Sequence, residues 1–222
     1  MNTPDEIREH VTKLAQGSIT EGNPTAWFEE LYSSANGDDS KIPWADGVPN
    51  PYLVSWFEKT NVVGNGRSAV VVGCGLGEDA EELSRRGFKV TAFDLSPTAI
   101  DWCEKLYPES AVTYLAADLF NLPAELTKGF DFIYECYTIQ ALPRSMRKKS
   151  IEAIASLLNI GGEMLLLGRS WHGEGNDEGP PWPLKEEELR HFKTLGLQEM
   201  TSEEFWDEKT GYDRVRKLYR RE

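Results

Sequence analysis

Val70-Val-Val-Gly-Cys-Gly-Leu-Gly77, with Asp94 closing the next apolar run, constrains the fold of this chain more than any other stretch. Three β-branched residues lead into a turn in which alternate positions are glycine. A helical segment from Glu78 to Arg86 follows, Gly87 ends it, and Phe88-Lys-Val-Thr-Ala-Phe-Asp94 reads as a second strand. Strand, tight turn, helix, strand, acid is one half of a nucleotide-binding βαβ unit. Glycines let the backbone approach a ligand closely. An acid at the end of the second strand can take both hydroxyls of a ribose. A strand-to-helix turn that binds nothing is the plainer alternative, and the strand, helix and acid around it weigh against that.

The turn also discriminates among nucleotides. A dinucleotide fold wants a third glycine where this chain has Glu78, followed by Asp79. Two carboxylates there favour a helix N-terminus and repel a pyrophosphate docking on it. ATP meets the same repulsion, and no Gly-Lys-Ser/Thr phosphate loop is present. S-adenosyl-L-methionine, an adenosine with a sulfonium and no phosphate, fits instead, with S-adenosyl-L-homocysteine as its product. A nicotinamide-dependent oxidoreductase is the competing reading that the two carboxylates oppose.

With 222 residues, 24 of them basic and 37 acidic, the net charge is −13. Such a surface repels a phosphate backbone, so DNA and RNA are not expected partners. The basic groups Arg144, Arg147, Lys148, Lys149 and Arg214, Arg216, Lys217, Arg220, Arg221 read as solvated faces of a helix and a strand. Cys74, Cys103 and Cys136 match no disulfide or metal spacing, which together with the lack of a signal peptide predicts a cytoplasmic protein without a metal. No apolar run approaches the ~20 residues of a membrane span. Nothing demands an oligomer, and a monomer is compatible with the sequence.

The periodicity predicts one domain over residues 1–222, with 1–60 forming N-terminal helices and a lid. Thr3-Pro4-Asp5-Glu6 marks a helix start, Asn23-Pro24 opens a second helix carrying Trp27, Phe28 and Leu31, and 33–51 is a loop around Trp44. Tyr52 to Thr60 is helical. Strands are expected at 69–72, 88–94, 112–116, 130–134 and 163–167, with helices between them. Ile151, Ile154, Ala155 and Leu158 mark one helix that Asn159 to Gly162 stops, and 185–195 is another. Segments 197–206 and 212–220 close the chain as an antiparallel pair, because their short connection forbids a parallel crossover. The result is an α/β, Rossmann-like doubly wound sheet, mostly parallel with an antiparallel C-terminal hairpin, as in class I methyltransferases.

From about Trp27 to Tyr219 the chain resembles the thiopurine methyltransferase family, which includes halide/thiol methyltransferases. Trp27 and Ile42-Pro-Trp-Ala-Asp-Gly-Val-Pro-Asn-Pro-Tyr-Leu53 are similar to that family's lid, in which paired tryptophans cover the cofactor. Val71 stands where most class I enzymes have an acid, which this family also tends to lack. Phe130 to Pro143 is similar to its fourth-strand motif, and Gly179-Pro-Pro-Trp182 to its Gly-Pro-Pro-aromatic signature. Thiopurine enzymes carry an arginine after the fourth-strand acid; here that position is Cys136. A halide/thiol-type or other small-molecule acceptor therefore stays open beside a thiopurine-like one.

Each candidate residue has an expected role. Gly73, Cys74, Gly75 and Gly77 form the turn under the methionine part, Cys74 through its backbone. Asp94 holds the ribose, Leu95 and Ser96 flank adenine, Asp118 accepts from the adenine amino group, and the Leu119 amide donates to the ring. Glu135, with Cys136 after it, lies near the methionine ammonium. Trp27 and Trp44 shield the sulfonium. Trp44, Tyr137, Trp171, His172 and Trp182 are candidates for the acceptor pocket.

Plainer roles compete for several of these: a helix cap for Ser96, a turn for Asp118, core packing for the tryptophans, a solvent-facing loop for His172. No Asp–His or Lys pair stands out as a general base, which favours soft, easily ionised acceptors. The N6-amino methyltransferase signature is replaced by Glu135-Cys-Tyr-Thr138, which disfavours nucleobases. Methyl transfer to a small-molecule thiol is the leading expectation. Transfer to oxygen or nitrogen of an aromatic metabolite, or cofactor binding without turnover, are the alternatives.

Overall fold

A computed structural model describes residues 4–173, 179–208 and 210–222. Thr3, the expected cap of the first helix, lies outside them. Helices α1 (Pro4–Thr20), α2 (Ala26–Ala35) and α3 (Pro51–Thr60) precede strand β1 (Ser68–Val72). Then come α4 (Glu78–Arg85), β2 (Lys89–Asp94), α5 (Pro97–Leu106), β3 (Thr113–Ala116) and β4 (Phe130–Cys136). The C-terminal half holds α6 (Thr138–Ala141), α7 (Arg144–Ser156), β5 (Leu158–Trp171), β6 (Leu184–Lys185), α8 (Glu186–Thr194), β7 (Leu197–Asp207) and β8 (Tyr212–Arg221).

The strands order as β3-β2-β1-β4-β5-β8-β7, with β6 pairing beside β5. β1 to β5 run parallel, and β8 and β7 add the antiparallel edge. Burial on both faces explains the unbroken apolar run of β1. Val70, Val72, Ile133 and Leu166 pack against α7 and α8 through Ile151, Ile154 and Phe192. Ala69, Val71, Phe132 and Leu165 pack against α3, α4 and α5 through Trp56, Leu83 and Ile100. A third cluster joins α1 and α2 to Leu76 of the glycine turn and Ala99 of α5, so the N-terminal helices sit at the rim where strands β1 and β2 end. Among the described residues no helix is long and apolar enough to cross a membrane.

Two differences from the expected elements matter. Leu158 does not continue α7 but opens β5, pairing with Phe130 across a bulge; its apolar spacing from Ile154 suits either element. β5 also runs four residues past Leu167, because Gly168 and Arg169 pair with Val215 and Arg214 of β8. The basic groups are solvated only in part: Lys148, Lys149 and Arg220 are exposed, but four others are buried. Arg147 is buried and donates to Glu188 and to the Trp182 and Pro183 carbonyls. Arg214, Arg216 and Lys217 are buried against Asp207, Glu203 and Glu199. Long basic side chains enter the interior here because each finds a carboxylate there.

Candidate active site

The C-terminal ends of β1, β2, β4 and β5 form one rim, where open α/β sheets hold their ligands. At its β1–β2 end, the turn after Val72 crosses beneath the N-terminal helices. Gly75 sits at φ +56°, and a Cβ there would lie 3.3 Å from the Tyr32 hydroxyl and 3.6 Å from the Trp44 ring. Trp44 donates its indole N–H to Tyr32 at 2.7 Å and meets Trp27 edge-on. The two tryptophans are therefore brought together. Trp27 is only 1% exposed, however, whereas Trp44 is 41% exposed; Trp27 buttresses and Trp44 presents a surface.

Asp94 ends β2 with one carboxylate oxygen accepting from Gly75 N–H and the other from Ser96 N–H, both at 3.0 Å. Burial pushes it up to about 6 against the pull of those amides. Ser96 caps α5 by accepting from Ala99 N–H and donates its hydroxyl to Glu29 of α2, so both functions of that hydroxyl are occupied. Ala117 N–H bonds the Asp94 carbonyl, placing Asp118 and Leu119 alongside. Asp118 is exposed, with one oxygen accepting from Phe120 N–H at 2.8 Å.

Asp79, in sequence only a charge at a helix start, is in the structure part of the rim. It accepts from Asn50 N–H at 2.7 Å and from the Tyr134 hydroxyl at 2.9 Å, and burial raises it to about 6. Burial likewise raises Glu78. Asn50, which caps α3, also reaches the Cys136 sulfur at 3.5 Å. No local pattern marks Asp79, Tyr134 and Asn50 as a group, because their contacts join residues far apart in the chain. Only the Asn50-Pro51 helix start offered a local signal.

On β4, Glu135 faces the α6 side and accepts from Ile139 N–H at 3.0 Å. Burial pushes it up to about 7, opposed by the amides of α6 and the charge of Arg147. Cys136 faces the other way, its thiol held protonated by burial. Tyr137 follows at φ +62°, a conformation rare for a bulky residue and typical of constrained sites.

Beyond β4 the charge reverses. Arg214 donates to Asp207 at 3.0 Å and to the Tyr137 hydroxyl at 2.5 Å. Burial works against ionisation of Asp207, but hydrogen bonds from Thr210, Tyr52 and Arg214 hold it down at about 2. Arg169 lies opposite Arg214 and stacks over Tyr212 at 3.6 Å. Of the acceptor candidates, Tyr137 and Trp171 lie at this end. Trp182 bonds Gln140 through its backbone. His172 is exposed and contacts Glu204 at 3.2 Å, on the face of β7 opposite Phe205, so it does not join Tyr137.

A model of the family described as thiopurine S-methyltransferase matches residues 36–218. A thiopurine S-methyltransferase of Aliivibrio salmonicida is 27% identical over 185 residues, 72% of this chain and 84% of that one. A probable thiopurine S-methyltransferase of Yarrowia lipolytica is 23% identical, covering 81% of this chain and 93% of its own length. Among solved structures, the Burkholderia thailandensis 1,6-didemethyltoxoflavin-N1-methyltransferase, bound to its substrate and S-adenosylhomocysteine, superposes with a TM-score of 0.68 at 18% identity, covering 87% of each chain. The magnesium protoporphyrin IX methyltransferase of Synechocystis, with bound S-adenosylmethionine, gives 0.66 at 17% identity, over 87% of this chain and 95% of that one. These two share the fold.

Proposed function

The chain belongs to the thiopurine S-methyltransferase family and is an S-adenosylmethionine-dependent methyltransferase, and from that premise we propose that its acceptor is a small-molecule thiol. The observation that carries the cofactor's placement is the group of buried carboxylates at the β1–β2 end of the rim. Asp94 bonds the Gly75 and Ser96 amides and Asp79 the Asn50 amide and Tyr134 hydroxyl, and among the described residues neither forms an ion pair. A buried anion without a countercharge is costly, and a cationic nucleoside is a ligand that relieves it.

The residues fit that cofactor. Each Asp94 oxygen keeps a second lone pair beyond its amide bond, enough to accept one ribose hydroxyl apiece. Ser96 and Leu95 flank the adenine with backbone and side-chain carbon, since the Ser96 hydroxyl is already committed. Asp118 has one oxygen left for the adenine amino group. The Gly73 to Gly77 turn gives the amino-acid end a close approach, Glu135 supplies negative charge toward the ammonium, and Trp44 covers the sulfonium side with Trp27 behind it.

When bound, S-adenosylmethionine supplies a methyl group on a sulfonium with a neutral thioether as its leaving group. The chain's own part is to align the nucleophile and exclude water. Cys136 and Tyr137 border the acceptor space, and burial keeps both protonated, so neither serves as a base at neutral pH. A thiol, already partly ionised near neutrality, reacts without one.

The test is S-adenosylhomocysteine release with thiols, thiopurines, iodide, thiocyanate and phenols. Turnover with thiols and none with phenols is the expected pattern. Turnover confined to phenols, or none across the panel, rejects the thiol assignment.

A further inference from the structure

Directly opposed like charges on neighbouring strands repel, yet β5 and β8 place Arg169 opposite Arg214. A guanidinium does not escape by releasing its proton. The surroundings treat the two differently. Arg214 is satisfied by Asp207, Thr210 and Tyr137. Arg169 is 5% exposed and donates from Nη1 to the Pro181 carbonyl at 2.7 Å, with the Tyr212 ring against its face. Its Nε is buried without a partner. Among the described residues, none of the ion pairs includes Arg169. Stacking on an aromatic ring offsets only part of the cost of burying an unpaired charge.

The neighbourhood suits an incoming anion. Trp171 Nε1, two residues along the same face of β5, is also buried and unpartnered. Tyr137 commits its phenol to Arg214. Cys136 and Tyr137, at the end of β4, pair with Leu167 just before Arg169. The glycine turn after β1 lies two strands away, about 10 Å at sheet spacing, so Arg169 belongs to the acceptor end of the rim.

We propose that Arg169 is the specificity-determining residue of the acceptor site and that the acceptor carries, beside its nucleophile, a carboxylate or equivalent planar anion that pairs with this guanidinium. The fork of donors on an arginine matches a carboxylate in geometry as well as charge. This rests on reading the rim as a methyltransferase site. An acceptor of this kind also explains how a chain of net charge −13 attracts an anion: the attraction is local, at one buried group.

The experiment is calorimetric titration of the protein, saturated with S-adenosylhomocysteine, with 3-mercaptobenzoate and with neutral 3-mercaptobenzamide. The expected result is about tenfold or more tighter binding of the carboxylate, the equivalent of one charge-assisted hydrogen bond. In Arg169→Met that ratio should fall to about one while S-adenosylhomocysteine binds as before. Equal affinities in the unmodified protein, or a ratio that survives in Arg169→Met, overturn the proposal. So does weakened S-adenosylhomocysteine binding in the variant, which would assign Arg169 to the cofactor's own carboxylate. The unmodified protein's ratio decides the matter even if the variant fails to fold. Absence of S-adenosylhomocysteine binding in the unmodified protein counts instead against the cofactor reading, and the two probes titrated alone still report on Arg169.

Discussion

The two ends of the strand rim are built from opposite buried charges. At the β1–β2 end, Asp94 and Asp79 are held by backbone amides and hydroxyls, with burial raising both to about 6. At the β5–β8 end, Arg214 and Asp207 neutralise each other, and Arg169 stands among aromatic rings. The first end is organised around uncompensated anions, the second around a cation. On the proposed reading, one rim thereby sorts two ligands: a positive nucleoside on one side of β4, and an electron-rich nucleophile on the other. The thiol protons of Cys136 and the phenol of Tyr137 lie between them, neutral.

The largest effect is expected at the self-compensated pair. Arg214→Met removes the buried guanidinium that pairs with Asp207 and bonds Tyr137, and should cost about 3–5 kcal/mol in urea unfolding. A loss under about 1 kcal/mol would mean that this end is wet and its pairing of the surface kind. Asp94→Ala removes a carboxylate that had no cation, so its main cost falls on binding. S-adenosylmethionine affinity should drop about 100-fold by calorimetry, as two charge-assisted hydrogen bonds are lost. An unchanged dissociation constant would take Asp94 out of the site.

The pH dependence sharpens the contrast. Cofactor affinity should fall about tenfold between pH 7 and pH 5, as Asp94 and Asp79 take up protons near 6. Because Asp94, Asp79 and Glu135 titrate higher in the fold than their ordinary values, their contribution to stability is present below about pH 4. It is lost as the pH rises to between 6 and 7. Asp207 has the opposite sign: its contribution is present above about 4 and is lost only as the pH falls through about 2. Urea midpoints of the unliganded protein across pH 4 to 7.5 read the first window, and Asp94→Asn should flatten the decline; an equally steep decline in that variant would remove Asp94 as its source. The smallest effect belongs to Trp44→Ala, about fivefold in cofactor affinity, the scale of one cation–π contact at a half-exposed site. No change there would restrict Trp44 to packing on Tyr32.

How far the sequence reached differs between the two ends for the same reason. The β1 turn and Asp94 lie on adjacent elements of one βαβ unit, so local spacing announces them. Arg169 and Arg214 meet only because β8 returns antiparallel to β5, and that pairing carries β5 beyond Leu167. A basic residue in an alternating segment reads as solvent-facing until its carboxylate partner is placed, and Asp207 and Glu203 arrive from another strand. Asp79 and Tyr134 are hidden likewise: each looks like an ordinary helix or strand residue until Asn50 and the Tyr134 hydroxyl meet on the Asp79 carboxylate. Glu29 of α2 reaching Ser96 and Thr98 is a further contact that no local pattern encodes.

A crystal structure with S-adenosylhomocysteine tests the division of the rim most directly. Both ribose hydroxyls are expected within hydrogen-bond distance of the Asp94 carboxylate, adenine beside Leu95 and Leu119, and the thioether directed across β4 toward Cys136 and Arg169. A nucleoside bound with its ribose against Arg169, or one that leaves Asp94 bonded only to the Gly75 and Ser96 amides, would contradict that division.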